Sequence, residues 1–226
     1  MKAPAYSVAK EGLPFILLSG FAALLCAILQ YRYAAFAGLA VTAFVTYFFR
    51  DPERVLPENS GVLVSPADGK VIRVEELHDS RFLHQDVLRI SIFMNIFNVH
   101  VNRIPLAGTV RRVILQPGRF YAADQDKAAL HNEHCAVIVE TAAGQKYAAV
   151  QIAGLIARRI ICRAEPDDQV RTGERYGLIR FGSRVDLYLP KGSEAMVNVG
   201  QKVRAGETVI GRLRPKTATR DDVKNA

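Results

Sequence analysis

Charge is scarce where this chain begins. Residues 1–49 hold four charged side chains, Lys2, Lys10, Glu11 and Arg32, although charged residues make up 23% of the whole. That deficit excludes a simple soluble domain for the front end. Cysteine is also sparse: Cys26, Cys135 and Cys162 form an odd set without C-x-x-C spacing. Neither a disulfide framework nor a zinc ribbon is suggested, and the usage fits a reducing compartment. No long internal repeat is visible, which removes solenoids and propellers. At 226 residues and 50% hydrophobic composition, the chain has room for one good-sized domain plus an appendage, and disordered and collagen-like classes are excluded.

The front end supplies the appendage. Gly12 to Tyr31 is an uncharged apolar run, and Tyr33 to Phe49 is a second, separated only by Arg32. Runs of this length are candidate membrane helices. So short a connection predicts an antiparallel helical hairpin over residues 1–50, turning at Arg32. Lys2 and Lys10 before it, and Arg50 and Arg54 after it, predict that both ends face the cytoplasm. Tyr31, Tyr33, Tyr47, Phe48 and Phe49 lie at the run ends, as interfacial aromatics do. A cleaved signal peptide would carry one shorter apolar run.

Asp51-Pro52-Glu53-Arg54 ends the second helix, because proline disfavours helix in the residue before it. Beyond it the texture changes to short Val- and Ile-rich runs broken by Gly, Pro, Asn and Asp. Strands are predicted at Gly61–Ser65, Gly69–Glu75, Val87–Ile92, Val99–Arg103, Gly108–Leu115, Cys135–Thr141 and Lys146–Ile152. More follow at Tyr176–Arg180, Arg184–Leu189, Met196–Val197 and Val209–Arg212. Short strands with turn signals between them read as a mainly β body of sandwich or barrel type, with few short helices. One short helix is expected around Asp124–His131, and Leu155–Cys162 could be strand or helix. The catalytic body is expected over residues 51–213, and 214–226 reads as a polar, disordered tail. Ser65–Val71 and Val199–Glu207 look alike in kind, and the second resembles the closing turn of biotinyl- and lipoyl-type sandwich domains.

Three chemistry-bearing residues stand in order: Asp68 in Pro66-Ala67-Asp68-Gly69, His100 in Phe97-Asn98-Val99-His100-Val101-Asn102-Arg103, and Ser183 in Phe181-Gly182-Ser183-Arg184-Val185-Asp186. Such a set can make an oriented base and an activated hydroxyl. Each also has a plain reading: Asp68-Gly69 as a turn, His100 as a core histidine, Gly182-Ser183 as a bulge. A membrane-anchored serine hydrolase would use the same three residues, but the G-x-S-x-G elbow is absent. A biotinyl- or lipoyl-like carrier would need a lysine at a hairpin tip, and Lys191 is the nearest candidate. His131-Asn132-Glu133-His134-Cys135 has the look of a metal cluster but lacks a second ligand pair, so no metal is expected. His78 and His84 read as solvated, and Arg103, Arg119 and Lys127 as cations able to meet anionic headgroups.

Taken together, the apolar front end and the S-P-A-D-G, F-N-V-H-V-N-R and F-G-S-R-V-D elements resemble the phosphatidylserine decarboxylase proenzymes of the short bacterial type. The resemblance runs from about Leu13 to Leu213. It implies a self-processing, pyruvoyl-dependent lyase that converts phosphatidylserine to phosphatidylethanolamine and CO2 in phospholipid biosynthesis. Ser183 would attack the carbonyl of Gly182, the chain would part between them, and Ser183 would become a covalent pyruvoyl group that forms a Schiff base with the substrate. His100 would be the general base and acid, and Asp68 would orient it. The large chain, 1–182, and the small chain, 183–226, would stay together as a heterodimer. The implied partner is a membrane phospholipid and not a nucleic acid, higher oligomers stay open, and the body would lie on the cytoplasmic side of the cell membrane. Two positions depart from the family pattern: Phe97 replaces a second histidine found in many members, and Arg184 stands where Ser or Thr is common. A contact from Arg184 to the substrate phosphate is one use for it.

Overall fold

The computed structural model describes residues 8–58, 61–118, 121, 131–154, 159–180 and 183–214. The predicted hairpin is present as α1 (Leu13–Ile28) and α2 (Arg32–Phe48). The reversal falls at Leu29–Tyr31, and Arg32 is the first residue of α2 instead of the turn itself. Gln30 takes the left-handed conformation, with φ 62°. Its N–H reaches the Ala27 carbonyl and that of Tyr31 the Cys26 carbonyl, the paired bonds of a Schellman cap. The helices cross closely at small residues: a Cβ on Gly38 would lie 2.8 Å from that of Ala23. Their outer faces expose Leu17, Phe21, Tyr33 and Phe36. The segment Lys10–Ile28 is long and apolar enough to cross a membrane; the Arg32–Phe48 helix is shorter.

The body is β-rich, as predicted. An eight-stranded sheet has β2 (Gly69–Asp79), β3 (Gln85–Met94), β11 (Ser183–Pro190), β7 (Lys146–Ala153), β6 (His134–Glu140) and β5 (Gly108–Gln116) in that spatial order. The two-residue strands β13 (Lys202–Val203) and β9 (Gln169–Val170) close its edges. One small sheet joins β4 (Val101–Arg103), β10 (Arg175–Ile179) and β8 (Ile160–Cys162). The other joins β1 (Val62–Val64), β14 (Val209–Arg212) and β12 (Glu194–Ala195). Every pairing is antiparallel.

Both faces of the large sheet are covered, which is why β6 reads as a continuous apolar run instead of an alternation. One face carries Val71, Ile90, Ile92, Val137, Val185, Leu187 and Leu189 into the main core. The other carries Ala136, Ile138, Val150, Ile152 and Tyr188, which pack under Phe82. A third cluster has Ala9, Phe48 and Phe49 from the hairpin packed on Val99, Val101 and Leu178. The hairpin is therefore fused to the small β4–β10–β8 sheet.

Several expectations shift in detail. Ser183 itself opens β11, one residue before the predicted start. Leu155–Cys162 resolves at its end as β8, while residues 155–158 lie outside the described residues. The helix expected at Asp124–His131 lies outside them too, except for His131, as does the tail beyond Arg214. Met196–Val197 is not a strand, and the short strand there is β12, just before it at Glu194–Ala195. The two-residue strands β9, β12 and β13 escaped prediction because they are too short to carry a period.

Gly69 shows why the S-P-A-D-G element ends in glycine. A Cβ there would lie 2.2 Å from the Phe93 carbonyl oxygen across the ladder. Gly69→Ala must push β2 from β3, and overpacking of this kind costs about 3 kcal/mol. Chemical denaturation of the purified protein reads that loss; a change below about 1 kcal/mol would show that the strands part freely.

Candidate functional site

Ser183 lies between Met94 of β3 and Ala153 of β7 in the sheet register. It is fully buried, and its hydroxyl has no hydrogen-bond partner among the described residues. A buried hydroxyl left this way costs free energy, so it calls for a chemical reason. Phe181 and Gly182 lie outside the described residues, so the carbonyl expected to be attacked is not described.

His100 precedes β4. Its carbonyl accepts from the Ile179 N–H at 3.3 Å, at the end of β10 and four residues before Ser183 in the chain. The backbone thus ties the histidine segment to the strand that leads into Ser183. The imidazole is fully buried, and neither ring nitrogen has a partner among the described residues. It lies tilted against the Phe48 ring at 4.2 Å between centroids. Burial holds its pKa down to about 4; the Asn98 carbonyl opposes that shift, and the Arg50 charge adds to it. At neutral pH it is an uncharged base, in the state that can accept a proton.

Beside Ser183 a buried polar cluster crosses three strands. Gln151 of β7 donates to Asn102 of β4 at 2.8 Å, and Asn102 donates to the Met94 sulfur at 3.7 Å. Gly177 leaves room for it: a Cβ there would come within 2.7 Å of the Gln151 amide nitrogen. Gln151 Oε1 is buried without a partner among the described residues. The asparagine lies inside the F-N-V-H-V-N-R element, but nothing in the sequence marked Gln151.

Asp68 is placed differently from expectation. Arg54 Nη2 donates to both of its carboxylate oxygens, at 3.0 and 2.8 Å, and the Ala205 N–H donates to Oδ1 at 2.8 Å. It makes no hydrogen bond to His100. A charge-assisted bond from guanidinium outcompetes one from neutral imidazole, and a cation two residues beyond Pro52 was available to make it. The two segments that looked alike in the sequence are side by side here. The Gly206 N–H donates to the Ser65 carbonyl, and Val203 pairs with Gly69.

Arg54 belongs to a clamp on the segment that follows α2. Asp51 sits between Arg103 at 3.2 Å and Arg175 at 2.6 Å, and Arg175 also reaches Glu53 at 3.0 Å. Arg103 further donates to the carbonyls of Pro52 and Gly173, each at 3.0 Å. It is buried, so it is not a cation offered to a headgroup, and burial lowers its pKa. Arg119 and Lys127 lie outside the described residues. Arg184 is likewise fully buried. It grips Asp186, two residues along the same strand face, at 2.5 and 2.8 Å, and the Ser91 hydroxyl at 2.9 Å. A phosphate contact from Arg184 is therefore replaced by a pairing inside the sheet.

The remaining candidates are engaged elsewhere. The Arg81 guanidinium lies 2.9 Å from His134 Nε2, and the Asn132 carbonyl 3.0 Å from Nδ1. No group of three metal-ligating side chains is gathered among the described residues. Exposed His78 and the Lys191 ammonium both meet Asp86, at 3.0 and 2.9 Å, so the hairpin lysine that a carrier would need is ion-paired. His84 is at the turn before β3 with φ 54°.

The Arg54–Asp68 pair is nearly dry, with side chains 7% and 12% exposed. Asp68→Asn leaves Arg54 with a neutral partner there, and breaking a pair this buried costs about 3 kcal/mol. Urea denaturation checks this, and a loss below about 1 kcal/mol would show that the clamp is dispensable.

The sequence profile of the phosphatidylserine decarboxylase family matches residues 41–211. A phosphatidylserine decarboxylase proenzyme of Desulfotalea psychrophila is 52% identical over 213 residues, covering 94% of this chain and all of that one. One from Nitratidesulfovibrio vulgaris is 51% identical over 218 residues, covering 96% and 100%. One from Syntrophus aciditrophicus is 48% identical over 205 residues, covering 90% and 96%.

Proposed function

The chain belongs to the phosphatidylserine decarboxylase family, and from that premise we propose that it is a proenzyme that cuts itself between Gly182 and Ser183. The observation that carries this reading is the Ser183 hydroxyl, buried and without a partner among the described residues, at the head of β11. His100 takes the hydroxyl proton, and Oγ attacks the Gly182 carbonyl. The C–N bond breaks, leaving an ester to Oγ and a free amine on Ser183. Loss of the Cα proton with departure of the Gly182 carboxylate then opens the chain and leaves dehydroalanine. Water replaces the nitrogen, ammonia leaves, and the small chain begins with a pyruvoyl group. The residues present fit that group, because among the described residues Ser183 makes no competing hydrogen bond to hold it as serine.

The pyruvoyl group supplies a ketone that binds the serine amine of phosphatidylserine and drains the electron pair left as CO2 departs. His100, uncharged and dry, moves the proton that replaces CO2 on the former α-carbon. Asp68 acts at one remove: it fixes Arg54 and the Val203–Gly206 turn around the site. The products are phosphatidylethanolamine and CO2. The hairpin anchors the enzyme in the cell membrane with the body on the cytoplasmic side, where the basic sequence, net charge +8, meets an anionic leaflet.

Ser183→Ala remains a single 25.0 kDa chain, whereas the unaltered protein resolves into chains 1–182 and 183–226. Intact mass spectrometry reads both. A small chain starting with serine, or a cut Ser183→Ala protein, would sink the reading. The rate of cutting depends on neutral His100, so it stays level from about pH 8 to 5. It falls about tenfold per unit below about pH 4, the pKa that burial imposes. A stopped-time gel series across pH measures this, and a midpoint near 6.5 would show a solvated histidine instead.

A further inference from the structure

The hairpin meets the site through a line of rings. Phe15 of α1 stacks on Phe49 at 5.6 Å, Phe49 meets Phe48 edge-on at 5.0 Å, and Phe48 lies against His100 at 4.2 Å. The Arg180 guanidinium sits 5.3 Å over the Phe15 ring, three residues before Ser183. The loop before His100 is tied to the same helix end. Arg50 donates to the Phe97 carbonyl at 2.7 Å and to the Tyr47 carbonyl at 2.8 Å. Neither ring nitrogen of His100 makes a hydrogen bond of good geometry among the described residues, and the backbone group that pulls on the ring is that of Asn98, two residues back. So local and weak a contact leaves packing to set the orientation of the ring.

We infer that the membrane hairpin is a working part of the self-cleaving site: Phe48, at the last turn of α2, is the positioning residue for His100, so docking of the hairpin on the body sets the cutting rate. This rests on the proposed self-cleavage. An anchor alone needs no buried ring, yet Phe48 is 1% exposed in a cluster shared with Val99, Val101 and Leu178. The charges carried by the surrounding elements are accounted for. Arg103 on β4 and Arg175 on β10 share Asp51, and Arg163, after β8, pairs with Glu11 before α1. Arg180 follows β10, and Arg50 at the end of α2 faces the imidazole with its charge. None of these supplies a hydrogen bond to the ring.

The test uses the full chain in detergent micelles. Phe48→Met keeps an apolar side chain of similar volume but removes the ring. Cutting slows about tenfold to a hundredfold, since a misplaced base loses its alignment. Phe48→Ala also lets water reach the imidazole, so the acid limb of the cutting profile moves up from about 4 toward the ordinary histidine value of 6.5. Phe36→Leu, on the exposed far part of α2, cuts at the unaltered rate. A folding-independent signature comes from uncut Ser183→Ala: its His100 ring protons resonate upfield under the Phe48 ring, and the Ser183→Ala, Phe48→Met double variant returns them downfield. Phe48→Met cutting at full speed, or a His100 resonance unmoved in the double variant, overturns the inference. Cutting of Ser183→Ala itself would instead overturn the reading on which it rests.

Discussion

The antiparallel ladder that holds β11 in the middle of the large sheet is the constraint on which the rest depends. Eight residues pair with β3 on one side and six with β7 on the other, starting at Ser183 itself. A self-cutting protein must break its chain without losing its fold, and a strand held on both edges meets that condition. The side chains reinforce it, because Val185, Leu187 and Leu189 enter one core while Tyr188 enters the other. Under the proposed reading, the reactive end of the small chain is also its best-held end.

A second constraint joins this sheet to the hairpin. Four charged residues follow α2 closely, Arg50, Asp51, Glu53 and Arg54, and the last three form ion pairs with the body. Asp51 and Glu53 meet Arg103 and Arg175, while Arg54 meets Asp68 and Glu207. Such a lattice leaves little freedom between the hairpin and the body, since each partly buried charge is stable only beside its partners. The buried Arg184–Asp186 pair obeys the same rule inside the sheet.

Much of this was legible because burial writes a direct pattern. Uncharged runs ending in aromatics announced the hairpin, and Val- and Ile-rich runs announced β3, β5, β6, β7 and β11. Ser183 and His100 were singled out through motif resemblance, and the structure buries both. What stayed hidden was partner choice. Asp68 could serve His100 or Arg54, and the decision depends on which cation the fold brings near. Arg103 read as a cation for headgroups and Arg184 as a contact to the substrate phosphate, because composition does not reveal a carboxylate waiting inside. Phe48 looked like an interfacial aromatic, and only the packing of α2 on the β4–β10–β8 sheet makes it a neighbour of His100. Gln151 carried no signal, as its role depends on a gap left at Gly177 on another strand.

The hairpin is short for a bilayer. At about 1.5 Å per residue, its helical segments of 19 and 17 residues reach about 28 and 25 Å, against a hydrocarbon thickness of about 30 Å. In a membrane, that mismatch draws the lipid surface inward around the helix ends. The rigid junction at Asp51 would transmit the pull, seating the base of the body, with half-exposed Phe97, among the headgroups. Under the proposed reading, a lipid would then rise only a short way to reach Ser183, its tails still immersed, and the work of extracting it from the bilayer would be largely avoided.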